Sequence, residues 1–414
     1  MAEIFGEDAR GAEDCGAEVF VLTGLVMIIS CSRPGDDINT IQFWQFWTDI
    51  NTKPVIEQLI AEFEQQNPGI DVKITDLTWA NGHDKLVIAF AAHQPPDIME
   101  LGSDWIAEFA SNNLLAKVDS DLPSSFLDPA KWNGHIYALP WLLDSRYLFY
   151  NKTLLTQVDM KTPQTWAEML TACRSIDSIG DDYFGFGCNS AERHRLYKKF
   201  LPFLWSNGGR VLNTNGSRSE LASPEAIEAL DYYLELCGCG LIESQRRLEE
   251  YFRDGKIGMV VSGGWLLQRL KKTPPAFEYE VGAFLTPLGD TGTSFFGGEY
   301  LAVCANSSKK EAAKKLTEFL TRRENSQRLC EAAGFGFPPY SHLTITDSSV
   351  QAEAAQLYHS VSSPSTPLWV DIEQDIEDAI EAAMYGHGTA KDILTRASET
   401  IDAKLQSGEN AKAK

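Results

Sequence analysis

The sequence predicts an α/β fold in two domains, and three observations carry that prediction. From Asn39 onward, short apolar segments of strand length alternate with amphipathic stretches of helical period, the pattern of a parallel sheet covered by helices. The 414 residues exceed what one hydrophobic core usually serves, and 43% hydrophobic with 23% charged residues is an ordinary globular composition. Between two strand-like runs, Ile136 to Leu139 and Tyr147 to Tyr150, stand Trp141, Asp144 and Arg146. A carboxylate and a guanidinium there are costly unless they meet each other, water or a polar ligand, which marks the segment as functional.

Ile41, Phe43 and Phe46 open the first strand. Val55, Ile56, Leu59, Ile60 and Phe63 mark one face of a helix that Asn67-Pro68-Gly69 stops. Ile70, Val72 and Ile74 alternate as a second strand, Lys85 to His93 has helical period, and Pro95-Pro96 precedes a third strand at Ile98 to Leu101. Further units are predicted at Thr165 to Ile176, Phe184 to Phe186, Leu196 to Ser206, Pro224 to Leu236, Ile257 to Val261 and Tyr279 to Phe284. A strand at Tyr300 to Cys304 leads into helices at Lys309 to Leu320 and Glu324 to Ala333, and the tail from Val350 is almost wholly helical.

The formal net charge of -22, with no Lys/Arg-rich run, argues against a nucleic-acid partner, since phosphate binding needs a basic footprint, and it disfavours an anionic solute. Catalytic motifs are missing. The seven histidines are scattered without a metal-binding pair, Val260-Val261-Ser262-Gly263-Gly264 lacks the first glycine of a nucleophile elbow, and there is no phosphate-binding loop. Neither an enzyme, a metal nor a cofactor is expected. Cys173, Cys188, Cys237, Cys239, Cys304 and Cys330 have no zinc-ligand spacing and are expected as small buried residues, with any pairing undeduced.

Binding has better support. Aromatic and polar residues fall at strand ends and turns, where an open parallel sheet forms its ligand crevice. Trp47 and Asp49 follow the first strand, Trp79 and Asn81 the second, Ser103 and Asp104 the third. Gly264 and Trp265 sit at a strand-to-helix turn, and Gly298 and Glu299 at another glycine pair. Trp141, Trp265 and Trp205 are further candidates for stacking on a sugar ring, whose apolar C–H face packs on flat aromatic surfaces. Trp105 and Trp166 lie inside helical patterns and are expected in the core. Asp144, Arg146 and Glu299 are the acceptors and planar donors that sugar hydroxyls need, although Asp144 and Arg146 could instead pair with one another.

The run WNGHIYALPWLLDSRYLFYNKTLL, from Trp132 to Leu155, resembles a signature of the extracellular solute-binding proteins of ABC sugar importers, with His135 and Ala138 as departures. Pro96-Asp97-Ile98 with Trp105, Phe109 and Leu114-Leu115 resembles a second element of that family, and Phe295 to Val303 (FFGGEYLAV) a third, followed by Lys309-Lys310-Glu311-Ala312-Ala313 and Gln327. The resemblance covers about Ile41 to Tyr340. It implies a two-lobe periplasmic-binding-protein fold with three interlobe crossovers, near Leu143 to Ser145, Phe296 to Glu299 and Leu343 to Ser349. One lobe would comprise residues 38–143 plus 299–345, the other 146–295 plus 350–407.

The implied function is capture of a neutral mono- or oligosaccharide by hinge closure and its delivery to the importer's permease subunits, by a monomer without a cofactor. A sugar sensor for a receptor and a glycoside hydrolase are the competing readings. At the start of the chain, Val19 to Ser30 is an apolar stretch of signal-peptide length, and Ile28-Ile29-Ser30-Cys31 resembles a bacterial lipobox. Residues 1–31 would then be a signal segment, Cys31 the lipidated residue, and the lipid anchor the sole membrane contact of a protein in the periplasm or at the cell surface. Six acidic residues against a single Arg10 before Val19 do not suit a signal peptide; they suggest translation starting near Val19 or Val21, or else a short buried segment.

Overall fold

Alternation of side chains builds the first strands. In β1 (Thr40–Gln45), Ile41, Phe43 and Gln45 are buried while their neighbours are half covered, as a strand with one face on a core requires. β2 (Asp71–Asp76) and β3 (Ile98–Gly102) lie parallel to β1 on either side of it. The helix Thr52–Gln66 joins β1 to β2 and buries Ile56, Leu59, Ile60 and Phe63 as one stripe. The structure is a computed structural model and describes residues 39–122, 124–190, 192–339, 356–357 and 359–412. The signal segment, Cys31 and the third crossover fall outside the described residues.

After a hairpin of β4 (Lys131–Trp132) and β5 (His135–Ile136) comes β6 (Ala138–Asn151). β7 (Phe184–Asn189), β8 (Gly240–Glu243) and β9 (Ile257–Gly263) form a second parallel set. β10 (Tyr279–Gly282) runs antiparallel to β6. β11 (Ser294–Val303) and the short β12 (Ser360–Val361) complete the sheet, whose strand order is β2-β1-β3-β11-β6-β9-β7-β8, with β10 on β6 and β12 on β11.

β6 and β11 are where the structure departs most from the sequence reading. Two strands are predicted around Trp141 to Arg146; the chain instead forms one strand of 14 residues. Its first part pairs with β11, from Ala138↔Ala302 to Ser145↔Phe296, and its last part with β9, from Arg146↔Gly263 to Tyr150↔Met259. Ladder bonding, first to β11 and then to β9, continues on both sides of a single bulge and satisfies most of the backbone across the polar interval, so the strand does not stop there. The two long strands are also very close: a Cβ built on Gly298 would stand 2.3 Å from the Leu142 carbonyl oxygen, so only glycine fits. The register slips between Glu299 and Tyr300, opposite Trp141, and this bulge changes which way the following side chains of β6 face.

The core divides accordingly. Apolar side chains up to Leu143, and from Phe296 through Phe337, gather in two clusters. Those from Tyr147 to Phe295, with the terminal helices Trp369–Met384 and Ala390–Lys412, gather in two others. The cysteines correct the expectation of merely buried thiols. Cys173 pairs with Cys239 and Cys188 with Cys237, so that the end of the helix Pro224–Gly238 is stapled both to the helix Trp166–Asp177 and to β7. Cys237 and Cys239 cannot pair with each other, but each faces a different neighbour at a Cα separation of 5.8 or 5.9 Å, within disulfide range. Cys304 and Cys330 are free and buried.

Candidate functional site

A cleft of about 440 Å³ opens where the β3, β6 and β11 segments meet the helices that follow β7 and β9. Trp47, Trp79, Ser103, Asp104, Gly298 and Glu299 line one wall; Asp144, Arg146 and Trp265 lie at its back and opposite side. The structure therefore brings together nine of the residues that the sequence singles out.

The remaining candidates go elsewhere, each for a physical reason. Trp141 is fully buried: at the bulge its ring turns into the core, 6.0 Å from that of Phe43, and cannot stack on a ligand. Asp49 is exposed and caps the helix Thr52–Gln66, accepting from the backbone N–H groups of Asn51 at 2.9 Å and Thr52 at 3.2 Å. Asn81 is also exposed, and its side chain accepts from the Thr78 hydroxyl at 2.9 Å. Trp205 packs beside Phe295, 6.3 Å away and nearly parallel, behind the wall. Gly264 does not line the cleft; its backbone N–H supports the Asp144 carboxylate from the start of the helix Gly264–Lys272. Trp105 is buried as expected, yet its edge also reaches the cleft.

Aromatic faces are fixed before any ligand arrives. Trp79 stacks on Phe46 at 4.2 Å with 20° between planes and remains 36% exposed, so one face of its ring is available. Trp265 is held by Glu249, which accepts its indole N–H at 2.6 Å and also accepts from Gln245, Ser262 and Arg269. Arg146 lies over that ring, bonds Asp144 at 3.1 Å and donates to the Ser145 carbonyl. Thus the pairing of Asp144 with Arg146 and their place in the cleft are both real.

On the other side of the cleft the halves touch. The Tyr197 hydroxyl donates to Asp104 at 2.6 Å and Lys198 stands 3.0 Å from the same carboxylate. Burial opposes the charge of Asp104, but Lys198 and Tyr197 outweigh it and hold its pKa below the ordinary carboxylate range. His194, bonded to Glu373 and edge-on to Trp105, is pushed down to about 4 by burial and so is uncharged at neutral pH. Burial and then Asp144 push Glu299 up to about 8. Burial likewise raises Asp144.

A group of cations and their scaffold also line the cleft, beyond the residues that the sequence singles out. Lys198 and Lys199 come from the helix Tyr197–Ser206, and Gln245 and Glu249 from the helix Gln245–Arg253; Arg193, Arg195, Arg246 and Arg269 stand at the rim. A signal existed for Lys199, which sits in the apolar run YKKFLPFLWS much as Asp144 and Arg146 sit between strands. The Gln245–Arg253 helix shows an i, i+4 pair in Leu248 and Phe252 behind Ser244. No group of His, Cys, Asp and Glu is placed to hold a metal among the described residues.

The family model of the bacterial extracellular solute-binding proteins matches residues 49–327. The diacetylchitobiose binding protein DasA of Streptomyces coelicolor is 26% identical over 361 residues, 80% of this chain and 82% of that protein. The solute-binding protein of an ABC transporter from Thermotoga lettingae, solved with alpha-D-tagatose, superposes with a TM-score of 0.77 at 24% identity, covering 89% of this chain and all of the other. The sugar-binding protein MalE of Xanthomonas citri superposes with a TM-score of 0.76 at 25% identity over 91% of this chain and 99% of the other. The fold is thus the two-lobe α/β fold of these binding proteins.

Proposed function

We propose, from the premise that this chain belongs to the family of bacterial extracellular solute-binding proteins, that it captures a mono- or oligosaccharide for an ABC importer. The observation that carries the reading is the wall of the cleft: Trp79, backed by Phe46 and open on one face, stands in a polar cavity with Asp104, Asp144 and Arg146. An apolar platform among charged hydrogen-bonding groups is what a ring with many hydroxyls needs, since stacking covers its C–H face while the charged groups replace water at its edge.

Lobes of residues 38–143 plus 299–345 and 146–295 plus 350–407 would rotate about β6 and β11, and the division of the core supports those limits. The reading assigns no catalytic step. The partners would be the importer's permease subunits, met by a monomer in its closed form. Two disulfides favour an oxidising compartment, and Cys31 would be the lipidated anchor of an otherwise extracytoplasmic chain. No described helix is long and apolar enough to cross a membrane.

Thermal-shift screening against mono- and oligosaccharides tests the reading, since a solute bound by the folded state alone raises Tm. Small-angle scattering should then show a smaller radius of gyration at saturating sugar. A panel without any shift would remove sugar capture.

A further inference from the structure

The cleft has a charge opposite to that of the chain. A net charge of -22 argues for a neutral solute at long range, yet seven Lys or Arg side chains line the cavity against four carboxylates. We infer that its solute is a saccharide bearing an anionic group, a carboxylate or a phosphate ester, received by Lys199 beside Arg146. This rests on the reading of the cleft as a sugar site.

Lys199 carries the argument. Three of the lining cations have carboxylates within the cavity: Arg146 with Asp144 at 3.1 Å, Lys198 with Asp104 at 3.0 Å, and Arg269 with Glu249 at 2.6 Å. Three more, Arg193, Arg195 and Arg246, are exposed at the rim and lie near Asp84, Glu192 and Glu250. Lys199 makes no ion pair; Glu249 and Asp144 favour its charge from a distance without offsetting its burial. It is 4% exposed, its Nζ forms no hydrogen bond, and it stands 5.4 Å from the Trp265 centroid on the cleft wall. A buried ammonium without an acceptor is among the most costly arrangements in a fold, and burial, then Arg146, drive its pKa well below the ordinary lysine range.

An anionic oxygen in the cleft would reverse both effects by supplying an acceptor and a countercharge. The Nε of Arg146 is likewise buried without a partner, so a small side-chain shift toward one anionic group would satisfy two orphaned donors. Glu299, raised by burial to about 8, is largely protonated at neutral pH and does not repel an anion.

Calorimetric titration of the purified full chain with glucose, glucuronate and glucose 6-phosphate, and with galactose and galacturonate, separates the sources of the charge. At least one charged sugar should bind roughly tenfold or more tightly than its neutral counterpart, and Lys199→Met, which keeps the stem and removes the charge, should abolish that ratio. Affinity for the charged sugar should also fall with added salt. Equal or tighter binding of neutral sugars in the wild type overturns the inference and leaves the sugar reading standing; the wild-type ratio decides this even if the Lys199 variant does not fold. Failure of every sugar, charged or neutral, overturns the sugar reading itself.

Discussion

Arg146 lies over the indole of Trp265, its guanidinium carbon 4.6 Å from the ring centroid. The tryptophan that the sequence offers as a sugar platform therefore already carries a cation, and Glu249 fixes its far edge. A solute must share this ring with Arg146 or displace it. Trp265→Ala removes the cation's support together with the platform and should weaken binding by about 1–2 kcal/mol, roughly tenfold, in calorimetric titration. Trp265→Phe keeps a ring while losing the bond to Glu249, and should fall between. Unchanged affinity in the alanine variant would place the solute elsewhere in the cleft.

Trp141 should behave in the opposite way. Its ring is enclosed with Phe43 in the core beneath β6, so Trp141→Ala should cost about 3–5 kcal/mol of stability, seen as a large drop in Tm. The fraction that remains folded should bind its solute with normal affinity. Lost binding at normal Tm would contradict this placement.

Glu299 should make stability fall with pH. Its pKa is raised to about 8 from the ordinary 4.5, so its contribution is full below about 4.5 and is lost as pH rises through 8. Glu100 is pushed up by burial and by Glu299, with the same sign. Glu299→Gln should therefore be more stable than the wild type at pH 8 to 9 and gain little at pH 4 to 5. Thermal melts across that range check it; a Tm difference that does not grow with pH would mean that Glu299 is not buried as a neutral acid.

The two disulfides should be measurable by reduction. Each closes a long loop, Cys173 to Cys239 across 66 residues and Cys188 to Cys237 across 49, and each should contribute about 2–4 kcal/mol, less in sum because the loops overlap. Dithiothreitol or Cys188→Ala should lower Tm markedly. If mass spectrometry finds Cys173, Cys188, Cys237 and Cys239 as free thiols in protein made in an oxidising compartment, the pairing is wrong.

The α/β alternation, the binding-protein signature and most of one wall are legible in the amino-acid sequence alone. Period-2 and period-3.6 patterns are local, and Trp47, Trp79, Ser103 and Asp104 lie at strand ends, where a parallel sheet opens its crevice whatever its partners are. Asp144 and Arg146 were legible because two charges in an apolar run have few places to go. The direction of Trp141, the pairs of Cys173 with Cys239 and Cys188 with Cys237, and the basic lining around Lys199 were decided by tertiary structure alone. A one-residue bulge turned Trp141 inward, and the disulfides depend on which elements the sheet brings side by side. Net charge is a sum over the whole chain, whereas a solute responds to the few groups within several ångströms, and only folding decides which these are.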